Sequence, residues 1–156
     1  MLATAEIYHT GLVVPDIAKA QAEFEAVFGG IRWTALEERE MPVLTQEGTL
    51  VVTLRFVYSI GPAPRIELLE PVEGTAWSLG AEHIGVWAED FQAESRRLDE
   101  AGFPRVLTFD DGSGQAFRFA YHRLPSGALV ELVDASRRPE LEAWMNGDVY
   151  PAVTTT

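Results

Sequence analysis

The chain has 156 residues, 12 basic against 24 acidic, a net charge of −12, and 47% hydrophobic residues. That length and apolar content support a real core, in one domain or in two small modules that share it, while the negative charge would repel nucleic-acid phosphates and anionic lipid surfaces. The chain lacks cysteine, which excludes disulfides, thiolate nucleophiles and zinc–thiolate sites.

The N-terminal "MLATAEIYH" has no basic segment followed by an apolar run, and no apolar stretch approaches bilayer-spanning length. The expectation is a cytoplasmic protein with no nucleic-acid and no membrane partner. A strand-like run, "EIYHTGLVV", leads to Asp16, which can cap a helix burying Ile17, Ala20, Phe24 and Phe28 and stopping at Gly29-Gly30. Three strand-like runs follow, "IRWTALE", "TLVVTLRFVYS" and "RIELLEP", with turn signals at "EREMP" and "GPAP". Then the order restarts: "EHIGVWA", Asp90, a helix burying Phe91 and Leu98 and ending at Gly102, and the runs "RVLTFDD", "AFRFAYHRL" and "ALVELVD". A last amphipathic helix over about 137–146 presents Leu141, Trp144 and Met145 before Gly147. It is too short to stand alone and should dock on its own sheet or on a second subunit; the final "VTTT" is expected to fray.

The restart is an internal repeat. His83 follows His9 by 74 positions, as Gly85 follows Gly11 and Asp90 follows Asp16; Glu131-Leu132 follows Glu67-Leu68 by 64. A longer central loop around "EREMPVLTQEG" would absorb the difference. Two strand-helix-three-strand modules result, at about 5–72 and 80–135. His9, Glu67, His83 and Glu131 sit among aliphatic strand neighbours, where a buried carboxylate is costly unless paired or metal-bound. Pairing two such modules about a pseudo-two-fold axis would bring the four together. Two imidazoles and two carboxylates suit an octahedral divalent cation (Zn, Ni, Co, Fe(II) or Mn) with about two positions left for water or substrate oxygens. His122, in "YHRLPSG", has no counterpart in the repeat and reads as a surface or pocket-rim residue.

The elements "HTGLVVPDI", "IELLEP", "EHIGVWAEDF" and "VELVD", in that order, resemble the vicinal oxygen chelate superfamily, which includes glyoxalases, bleomycin-resistance proteins and extradiol dioxygenases. The resemblance implies an α+β fold of two paired βαβββ modules in a cupped, incomplete eight-stranded mixed sheet, here one domain over 1–156, around one divalent metal ion held by His9, Glu67, His83 and Glu131. The ligand set is similar to that of glyoxalase I. "IELLEP" and Glu47-Gly48 are similar to methylmalonyl-CoA epimerase, which commonly has Gln where this chain has Glu67. Members of this length are often homodimers, so a homodimer is expected.

A metal with open positions polarises a chelated carbonyl and makes the adjacent carbon acidic. Glu131 and Glu67, with Glu47 third, are the candidate proton carriers, which leaves isomerase, epimerase and lyase open on a small oxygenated substrate. The alternatives are a small-molecule binding protein without turnover and an Fe(II)-dependent ring-cleaving dioxygenase. Trp87 shares strand parity with His83 and is assigned to the substrate pocket, with Gly11 and Gly85 leaving room beside the metal. Arg65 and Arg118 are the basic residues expected to line these strands.

Overall fold

A computed structural model describes residues 1–151; the expected fraying of "VTTT" lies outside the described residues. The first module contains β1 (Ile7–Val13), α1 (Ile17–Phe28), β2 (Glu37–Thr45), β3 (Gly48–Tyr58) and β4 (Arg65–Leu69). The second repeats the order with β5 (Glu82–Ala88), α2 (Phe91–Glu100), β6 (Arg105–Phe109), β7 (Phe119–Arg123) and β8 (Leu129–Asp134), followed by α3 (Arg138–Met145). The fold is α+β with eight mixed strands, as the sequence predicts.

Each module pairs its strands in the same spatial order, first, fourth, third, second, and the two are joined through antiparallel β1 and β5. The ring then closes on the far side, where β2 meets β6 through Val43, Leu44 and Thr45. So the expected opening narrows to a seam three residue pairs wide. Period-two alternation divides the side chains. On the outside, α1 lays Ile17 and Ala20 on Val57 and Leu68, and α2 lays Phe91 on Val86, Ala88 and Leu132. Inside, Val43, Leu54, Phe56, Leu69, Trp77 and Leu107 form the core, together with Leu141, Trp144 and Met145 of α3. The last helix therefore docks on the sheet of its own chain.

Several local expectations change. "IRWTALE" contributes a bridge from Trp33 to Ser59 and, at its end, the first residue of β2, Glu37; the strand then runs through "EREMP". Pro42 is tolerated there because β6 pairs only with Val43 to Thr45, so little of the strand needs a second ladder of N–H donors. The extra length of the first module is taken up largely in the β2–β3 hairpin, with strands of 9 and 11 residues against 5 and 5 for β6 and β7. Asp16 caps α1 by accepting from the Lys19 amide, whereas Asp90 caps α2 without a side-chain bond. Phe28 is 65% exposed, since α1 contacts the sheet through its first turns. Among the described residues, no helix is long and apolar enough to cross a membrane.

Candidate metal centre

Strand alternation places His9 and His83 on the inner faces of β1 and β5, and the parallel neighbours β4 and β8 bring Glu67 beside Gly11 and Glu131 beside Gly85. His9 Nε2 lies 2.8 Å from His83 Nε2 and 3.2 Å from Oε2 of both Glu67 and Glu131. His83 Nε2 lies 3.0 Å from Glu67 Oε2 and 3.5 Å from Glu131 Oε2. All four residues are buried, at 0 to 8% exposure. Donors ~2.1 Å from a shared cation stand roughly 3.0–3.4 Å apart at octahedral or tetrahedral angles, and the separations found, 2.8 to 3.5 Å, bracket that range. Nearness does not satisfy the carboxylates: Glu67 Oε2 and Glu131 Oε2 have no aligned hydrogen-bond donor. Two orphaned buried carboxylate oxygens facing two imidazole nitrogens form a donor set that fits a divalent cation.

The glycines explain how two histidines share one point. In the antiparallel register Gly11 opposes His83 and Gly85 opposes His9. A Cβ on either glycine would overlap the opposing imidazole. Each glycine thus makes room for the other module's ligand, a more specific role than free space beside the metal.

Burial disfavours charge on all four groups, and their mutual contacts outweigh it. Despite desolvation, Glu131 and Glu67 raise both imidazoles, His83 to about 9. Despite the same desolvation, the histidines lower Glu67 and bring Glu131 to about 2. Two Nε2–H groups cannot face each other at 2.8 Å, so the metal-free pair holds its excess proton jointly.

Three tyrosines surround the centre, a feature the sequence reading missed as a pattern. Tyr58 pairs with Glu67 across β3–β4, and Tyr121 pairs with Glu131 across β7–β8, at equivalent places in the two modules. Their rings meet His9 and His83 edge-on at 5.2 and 5.0 Å. Tyr8 joins them because an irregularity between Ile7 and His9 turns it inward next to His9. Burial, and then the two carboxylates, raise all three phenols well above their ordinary value, so they stay neutral hydrogen-bond donors. The signal available in the sequence was a Tyr nine or ten residues before each Glu.

Trp87 faces the interior as parity predicts and is stacked on Tyr8 at 3.9 Å. Glu47 is exposed at the tip of the β2–β3 hairpin and is not part of the four-residue group. The reading of His122 as a surface residue is corrected, since it is fully buried. Its Nδ1–H donates to the Phe103 carbonyl at 2.8 Å, which leaves Nε2 to accept from Ser95 Oγ at 2.9 Å. It ties α2 and the turn after it to the sheet. A surface cleft of about 240 Å³ beside Gln92, Asp99 and Arg105 contains none of the four donors.

A family model described as the glyoxalase/bleomycin resistance protein/dioxygenase superfamily matches residues 8–121. The chain belongs to this superfamily. Among solved structures, it is similar to a methylmalonyl-CoA epimerase in complex with methylmalonyl-CoA and NH4+, at 19% identity and a TM-score of 0.51 over 86% of this chain and 95% of that one. A Streptomyces coelicolor methylmalonyl-CoA epimerase in complex with 2-nitronate-propionyl-CoA matches at 19% identity and 0.52, over 86% and 95%. A 4-hydroxymandelate synthase mutant from the same organism matches at 16% and 0.54, over 86% of this chain and 39% of that chain. These likenesses establish the shared fold. A search of curated protein sequences gave no match.

Proposed function

We propose that the chain is one vicinal oxygen chelate domain that binds a divalent metal ion through His9, Glu67, His83 and Glu131 and moves a proton next to a carbonyl of a small oxygenated substrate, as an isomerase, epimerase or lyase. The observation that carries this reading is the convergence of four buried donors with two unsatisfied carboxylate oxygens. When bound, the metal supplies Lewis acidity to the substrate's oxygen. Glu67 and Glu131 reach the centre from opposite modules, so one can take a proton and the other return it. The neutral Tyr58 and Tyr121 hydroxyls serve as donors to substrate oxygens, and the apolar interior excludes water. Glu47, exposed on its hairpin, is the weakest of the three candidate proton carriers.

Elemental analysis of the purified protein tests the metal, with about one divalent ion per chain expected. With a turned-over substrate in deuterated water, deuterium should appear at the carbon beside the carbonyl, without oxygen consumption. An empty protein of unchanged fold would favour the binding-protein alternative. Oxygen uptake would favour the iron dioxygenase.

A further inference from the structure

β4 carries one buried charge that the metal centre does not use. Arg65 is 5% exposed and is the only lysine or arginine among the buried described residues. Ile66 and Leu68 face α1, so alternation turns Arg65 inward with Glu67 and Leu69. Across the parallel ladder its register partner is His9. Its favourable electrostatic neighbour is Glu142 on α3, and the neutral Tyr8 and Tyr58 lie nearby, with rings that meet His9 at 4.4 and 5.2 Å. None of them partners it. The guanidinium forms no hydrogen bond or ion pair among the described residues, its Nε is shut off from water, and Glu142 is engaged by Arg138 at 3.0 Å. An arginine 5% exposed in an aromatic interior, with no ion pair to a carboxylate, is costly to the fold.

We infer that Arg65 is an anion subsite of the metal centre, taking a carboxylate that the substrate carries in addition to the oxygens directed at His9, Glu67, His83 and Glu131. The inference rests on the metal reading above and narrows its substrate class to small oxo- or hydroxy-acids with a second carboxylate. A planar guanidinium matches a carboxylate through paired N–H donors, and a single interior cation balances a single negative charge better than a phosphate dianion. Inward-facing positions two apart on a strand are ~6.6 Å apart, so the second carboxylate lies only a few bonds from the chelating oxygens.

The test uses the full chain loaded with Mn2+ and two ligand pairs that differ only in the end group: 2-oxobutanedioate against 2-oxobutanoate, and 2-oxopentanedioate against 2-oxopentanoate. Calorimetric titration should show at least one dicarboxylate binding tenfold or more tightly than its monocarboxylate match. Arg65→Met should erase that advantage while metal content and monocarboxylate binding stay unchanged, and its melting midpoint should hold or rise because an uncompensated charge has been removed. Arg65→Lys, which keeps the charge without the fork, should retain only part of the advantage. Equal affinities within both pairs, or an advantage that survives Arg65→Met, would overturn the subsite. Tighter binding of 3-phosphonopyruvate than of 2-oxobutanedioate would overturn the carboxylate assignment. The paired ligands on the unaltered protein decide the matter even if no variant folds. A chain that takes up none of Mn2+, Co2+, Ni2+ and Zn2+ refutes the metal reading and this inference together; full metal without discrimination refutes the subsite alone.

Discussion

Gly85 on β5 stands opposite His9 on β1, and a side-chain carbon at that position would lie within the His9 imidazole. Gly11 and His83 repeat the relationship with the modules exchanged. Gly85→Ala should therefore displace a ligand ring, costing about 1–3 kcal/mol of stability through overpacking and lowering metal affinity by roughly tenfold or more, the scale for misoriented ligands. Metal content after dialysis, compared with the melting midpoint, checks it. Undiminished metal in both glycine variants would show that the rings do not need this space.

His9→Ala and His83→Ala should each sharply lower metal content and leave secondary structure in place, because the helix–sheet clusters on the outer face do not involve these side chains. Glu131→Gln should slow solvent deuterium exchange into substrate by about a hundredfold, the usual loss for an acid–base group. If Glu67→Gln leaves turnover unchanged while oxygen is consumed, Glu67 is not part of the centre.

The charge pattern sets a pH signature for the metal-free protein. His83 is raised to about 9, so its imidazolium contribution is complete below the unfolded value of ~6.5 and is lost as pH rises through 9. Glu131 is lowered to about 2, so its contribution is present above the unfolded value of ~4.3 and is lost as pH falls through 2. Metal-free stability should decline between pH 6.5 and 9 by up to about 3 kcal/mol, and the metal-loaded protein should not follow it. Metal uptake must displace the shared proton, so apparent affinity should rise about tenfold per pH unit over that window. Denaturant titrations with and without metal, and calorimetry in two buffers of different ionisation enthalpy, read both effects. A flat affinity profile would contradict the assignment.

His122→Ala should destabilise the protein by about 1–3 kcal/mol, because it strands the buried Ser95 Oγ and frees the partly buried Phe103 carbonyl. Metal content should not change. Urea unfolding and elemental analysis separate this structural role from a ligand role.

Trp144 of α3 packs edge-on against Tyr58 at 5.2 Å, and Tyr58 in turn meets His9. Outside this apolar contact, Arg138 ties the helix to the first module through Glu6 at 2.8 Å. Trp144→Ala should cost about 3–5 kcal/mol and speed metal removal by a chelator, since the helix covers the interior that holds the donors. An unchanged chelation rate would show that access runs elsewhere.

The duplicated His-Gly and Glu-Leu positions determined the fold class and brought four ligand candidates to notice, because a repeat forces equivalent residues onto equivalent strands. Period-two parity turned Trp87 inward with His83. What a single strand cannot encode is the neighbour it will meet. That is why β2 went unread: its Pro42 looks like a turn until β6 is seen to pair only beyond it. His122 belongs to the same class, its environment being created by Ser95 on α2 and by Phe103 after it. Tyr8 faces inward through an irregular pairing that exists only between β1 and β5. The purpose of Gly11 and Gly85, the cover provided by α3 and the isolation of Arg65 are likewise relations between distant segments. The sequence determined which residues could hold a metal; tertiary packing decided that their donor atoms converge, because only the antiparallel register of β1 on β5 puts each histidine over the other module's glycine.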